Sequence, residues 1–139
     1  MLIAHAVAVL ALAVAAPTFA ADCTYPKAPA TMPDGSSANI DEMKAAKKDY
    51  DKYNSDMQVY LECLRADNEA TTPKIEDSMS KDKKQEVQKQ IDEATKRYEI
   101  KYDSAFDELK TVMDRFNEQI RAFNAKRKAA KDLKDKNGG

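Results

Sequence analysis

The chain has 139 residues, 23 basic and 24 acidic side chains, a net charge of −1, two cysteines, three glycines, one histidine and no tryptophan. One third of it is charged, and Ala, Lys, Glu, Asp and Gln are abundant, a composition that favours helices. With so few glycines there is no phosphate-cradling loop, and the balanced net charge hides an asymmetry: residues 121–139 carry seven basic side chains against two acidic ones.

Residues 1–20 are an apolar, alanine-rich run ending in Thr18-Phe19-Ala20, which reads as a secretory signal peptide cleaved after Ala20. The run is too short for a comfortable membrane span, and Pro17 breaks it just before small residues at the cleavage site. The residues before Cys23 lack the lipidation pattern, so a lipoprotein is excluded. Cleavage leaves about 119 residues, one domain's worth, and removes His5, the only histidine. An even pair of cysteines in an exported chain predicts a Cys23–Cys63 disulfide.

From residue 21 to Asn39 the chain is punctuated by Pro26, Pro29 and Pro33 and then by Asp34-Gly35-Ser36-Ser37, which predicts an extended strap ending in a turn. Asn39 followed by Glu42 is a capping-box signature, so a first helix begins at Ile40. Met43, Ala46, Tyr50, Tyr53, Met57, Tyr60 and Leu64 then recur at spacings of three and four, a heptad seam on one face. This helix is predicted to run to about residue 66. The Tyr50, Tyr53 and Tyr60 row could stack a ligand, but helical spacing favours core packing with hydroxyls at the rim.

Asp67 to Thr72 reads as a polar connection, and Thr72-Pro73 as a cap and first helical residue, with Ser78 and Ser80 as nearly equal later starts. The second helix, predicted over about 73–134, carries apolar residues at Val87, Ile91, Ala94, Tyr98, Tyr102, Ala105, Leu109, Val112, Phe116, Ile120 and Phe123, close to the period of a straight rod. Asp77–Lys81, Asp92–Lys96 and Glu93–Arg97 are candidate ion pairs on its outer face. The whole is an all-α, coiled-coil-like antiparallel hairpin over residues 40–136. The strap, at about 3.1 Å per residue, is long enough to run back along the first helix to Cys63.

A turn near residue 70 would pair Met57 with Lys83, Tyr50 with Ile91 and Met43 with Tyr98. The row Ala105, Leu109, Val112, Phe116, Ile120 and Phe123 would then lack an intrachain partner and would form an interaction surface for a protein partner or a second copy. If the second helix instead starts near Val87, after a long irregular loop, the first helix covers this row. The basic tail, Arg121, Lys126, Arg127, Lys128, Lys131, Lys134 and Lys136, could meet an anionic envelope surface, against the alternative of a solubilising, frayed helix end.

Cys23, Pro33-Asp34-Gly35, Met43, Tyr50, Tyr60-Leu61-Glu62-Cys63-Leu64, Tyr102-Asp103 and Phe116 to Phe123 together resemble a group of small exported proteobacterial proteins to which no activity is attached. The resemblance implies two helices, one disulfide and a Gram-negative envelope location, and it brings no catalytic residue. The charged stretch from Asp77 to Gln90 is longer here than in that group, which bears on where the hairpin turns.

Catalysis by an activated nucleophile needs a base beside it, and here histidine is absent from the exported chain and both cysteines are paired. The acidic pairs Asp41-Glu42, Glu76-Asp77 and Asp92-Glu93 fall on charged segments and read as solvated faces. No cofactor and no metal are expected, and the compartment argues against nucleic acid. The sequence therefore points to a non-enzymatic periplasmic or secreted protein that binds another envelope protein or itself, with a chaperone-like holder of unfolded clients as the alternative.

Overall fold

Asn39 starts the first helix as its capping box requires. Its Oδ1 accepts from the amides of Asp41 and Glu42 at 2.9 and 3.0 Å, while the Glu42 carboxylate accepts from the Asn39 amide at 2.7 Å. The computed structural model describes residues 22–137, so the signal-peptide reading of residues 1–20 lies outside it. Helix α1 spans Ile40–Thr71 and helix α2 spans Lys81–Asn137.

Both boundaries between the helices differ from expectation for physical reasons. Asp67 to Thr71 is polar, but nothing in it breaks a helix, and α1 continues until Thr72 turns extended at φ −71° and ψ 121°. Pro73 imposes that conformation on the residue before it. The connector 72–80 is non-helical, with a turn closed by the Met79 amide on the Glu76 carbonyl at 3.1 Å. Ser80 then takes the capping role at the later of the predicted starts, its hydroxyl accepting from the Lys83 amide at 3.4 Å.

The two helices pack antiparallel in a register that corrects the expected pairing. Tyr50 stacks on Phe116 with ring centroids 4.7 Å apart, and not on Ile91. Tyr53 reaches Glu108, and Met43 borders a hollow shared with Phe116, Ile120 and Phe123. The last turn of α1, at Asn68 and Thr71, faces Ala94 and Arg97. The first turns of α2 therefore project beyond α1 by roughly 20 Å at 1.5 Å per residue, and the connector spans that distance. This register resolves the length mismatch. Ala105, Val112 and Phe116 are 0, 6 and 5% exposed, and Ala105 and Val112 share one core with Tyr53, Met57, Tyr60 and Leu64. The row expected to await a partner is thus largely intrachain core, with Leu109, Ile120 and Phe123 half-buried at its margin.

The heptad seam of α1 faces inward as the spacing predicts: Met43, Tyr53, Met57, Tyr60 and Leu64 are buried, and Met57 is wholly enclosed. The strap runs antiparallel to α1 and is fixed at its far end by the Cys23–Cys63 disulfide, with Cα atoms 5.7 Å apart. Cys23, Ala28 and Met32 pack against the core, so the strap acts as a third element beside the two helices.

Candidate functional site

Three polar anchors lock the strap into one groove of the hairpin. At the disulfide end the Tyr25 ring meets Tyr60 edge-on at 4.9 Å, and its hydroxyl donates to Glu108 Oε2 at 2.7 Å. The Tyr53 hydroxyl donates to the other oxygen, Glu108 Oε1, at 3.0 Å. One carboxylate on α2 thereby binds a tyrosine from the strap and a tyrosine from α1. Burial, reinforced by Glu108, pushes the Tyr25 hydroxyl up to about 12 and raises that of Tyr53 as well. Burial alone raises Tyr60.

At the other end, Asp34 organises the predicted turn by accepting from the amide and hydroxyl of Ser36 at 2.9 and 2.8 Å. The Ser36 hydroxyl, with its amide, holds the Asp34 carboxyl below the usual range. The Gly35 amide donates to Gln119 Oε1 at 2.9 Å, and Lys126 Nζ donates to the carbonyls of Ser37 and Ala38 at 2.8 and 3.0 Å. Lys126, expected to be part of a free basic tail, is a structural clamp on the strap turn.

The opposite groove carries no such cover. Each residue advances a helix by about 100°, so a residue three positions after a core position lies to one side of it and a residue one position after lies to the other. Glu108 and Gln119 follow Ala105 and Phe116 by three and meet the strap. Phe106 and Met113 follow Ala105 and Val112 by one; they are 51 and 37% exposed. Tyr102 stacks against Phe106 with centroids 6.5 Å apart, and Leu109 and Ile120 lie half-buried on the same flank. Across the groove α1 contributes Leu61 and, at its first turn, Ile40 at 47% exposure. This apolar flank keeps Leu109 and Ile120 of the surface that the sequence suggested and adds Tyr102, Phe106 and Met113, while Ala105, Val112 and Phe116 are buried. Phe106 and Met113 stand one position outside the apolar periodicity of α2, and that off-phase placement is the signal a sequence reading can use to find them.

Arg127 lies 5.8 Å over the Phe123 ring, and Arg121, Lys128, Lys131, Lys134 and Lys136 are exposed on α2, which stays helical to Asn137. The acidic pairs at 41–42, 76–77 and 92–93 are exposed. Asp77 precedes α2, so it cannot pair along it with Lys81, and Asp92 accepts from Gln88 at 2.8 Å. Beyond the disulfide end of the strap, Asp67, Arg97 and Lys101 line a polar recess in which Asp67 Oδ1 has no hydrogen-bond partner. Among the described residues no three His, Cys, Asp or Glu side chains cluster as metal ligands would, and no helix is long and apolar enough to cross a membrane.

No protein-family model, curated protein or solved structure matches this chain significantly. The fold itself defines the class: a disulfide-stapled, two-helix all-α hairpin with one groove filled by its own N-terminal strap.

Proposed function

We propose that this is a non-enzymatic protein of the periplasm or cell exterior that works by binding protein, either another envelope protein or its own copy. The observation that carries the reading is the asymmetry of the hairpin: the strap seals one groove, and the other presents Tyr102, Phe106, Leu109 and Met113 along one α2 flank. Contiguous exposed apolar surface on a folded chain marks an interaction site more often than a solvated face. The Cys23–Cys63 bond supports an oxidising compartment, in keeping with the leader reading of residues 1–20. The basic α2 end adds screened attraction to anionic envelope surfaces.

A photo-crosslinking residue at position 106 tests this in the native compartment. It should trap discrete protein adducts, whereas the same residue at Lys52, on the strap side of α1, should not. Equal and diffuse labelling from both positions would remove the reading. Suppression of model-client aggregation by the purified protein at equimolar ratio would favour the client-holding alternative.

A further inference from the structure

We propose that the open flank of α2 is occupied by a second copy of this chain, packed antiparallel about a two-fold axis near Phe106. This deepens the protein-binding reading above and rests on it. The flank is centred on Phe106, with Tyr102 before it and Leu109 and Met113 after it. An isologous contact requires a surface that complements itself when reversed. Reversal near Phe106 brings Phe106 close to its own counterpart and sets Tyr102 against the partner's segment from Leu109 to Met113.

The charges bordering the stripe follow the same axis. Asp103 and Lys110 lie on its outer edge, three residues before and four after Phe106, so each reversed pair sets an Asp103 beside a Lys110 of the other copy. In antiparallel helix pairs the residues on one outer edge face the same edge of the partner, which makes this pairing attractive on both sides of the axis. Lys110 already holds Asp114 at 2.7 Å within its own helix, so the added Asp103 would complete an acid–base–acid row.

The area fits a weak, reversible contact. Phe106 is half exposed and Met113 37% exposed, while Tyr102, Leu109, Ile120 and Leu61 each keep a smaller uncovered part, so the apolar flank offers roughly 350 Å² per copy, or about 700 Å² for the pair. That is less than a standard specific interface buries, so the bordering polar side chains, Asp103 and Lys110 among them, must share the contact, as they do in a weak dimer.

The test is sedimentation equilibrium of the exported, oxidised protein from low to high micromolar concentration. The wild type should move from monomer to dimer over that range. Phe106→Glu should remain monomeric with unchanged helical circular dichroism, because the side chain is already half in water. Lys110→Asp should weaken the dimer at least tenfold, and the Asp103→Lys, Lys110→Asp double variant should restore it, which a general loss of fold would not do. A wild type that stays monomeric throughout, or a dimer untouched by Phe106→Glu, would overturn the second-copy inference. Position-106 crosslinks to a different polypeptide would then leave the broader binding reading standing, and their absence would remove both.

Discussion

Gly35 rests on Gln119 so closely that a Cβ added to it would lie 1.9 Å from the Gln119 carbonyl oxygen. Its amide donates to the side chain of the same residue. The glycine is needed here for close approach of strap to helix, since its backbone is not left-handed. The obstacle is helix backbone, which cannot swing aside as a side chain would.

Gly35→Ala should therefore lift the strap turn from α2 and destabilise the fold by about 1–3 kcal/mol in urea unfolding. Ser104→Ala, on the exposed face of α2, should change stability by less than about 0.5 kcal/mol. Equal effects would mean that the turn does not dock.

The Glu108 anchor predicts loss of stability in alkali. Tyr25 and Tyr53 titrate higher in the folded protein than the ordinary value of 10.0, so the neutral hydroxyl is the form that the fold favours. Their contribution is complete below pH 10; that of Tyr25 is lost as the pH rises through about 12, and that of Tyr53 as its own raised value is passed. The urea midpoint should fall steeply over that interval. Tyr25→Phe with Tyr53→Phe should flatten the fall while lowering stability near neutrality, because the Glu108 carboxylate loses both donors. An unchanged alkaline slope in the double variant would contradict the anchor.

The staple has a separate signature. Native protein, unfolded without reductant, should show no thiol reactive to labelling. Replacing both cysteines with serine should cost about 4 kcal/mol in the chain-entropy account of a loop of this length. Two labelled thiols per chain in the native protein would remove the strap from the structure in its working state.

Much of this architecture is written locally in the chain. Asn39 and Glu42 announce the start of α1, the Met43-to-Leu64 seam specifies its inner face, and the three prolines with Cys23 and Cys63 give the strap its path. The register is a different kind of information. The apolar row of α2 is longer than α1, so several alignments bury apolar surface, and periodicity alone does not choose among them. The contacts that fix the observed one join residues more than 50 positions apart: Tyr53 to Glu108, Gly35 to Gln119 and Lys126 to Ser37. Glu108, Gln119 and Lys126 look in sequence like ordinary solvated positions. In the observed register Ala105, Val112 and Phe116 of the inferred surface are core, Leu109, Ile120 and Phe123 are its half-buried margin, and Phe106 and Met113, just out of phase with the row, are exposed beside it.

Methionine oxidation tests the central claim, that the strap-free flank is covered by protein where this molecule works. Met113 on that flank is 37% exposed, whereas Met57 in the core has no exposed surface, and Met79 in the connector lies away from the flank as an internal reference. In dilute purified protein, limited peroxide treatment should oxidise Met113 well before Met57. In the intact native compartment the Met113-to-Met79 oxidation ratio should fall several-fold as a bound partner shields the flank. An identical ratio in both settings would contradict the account.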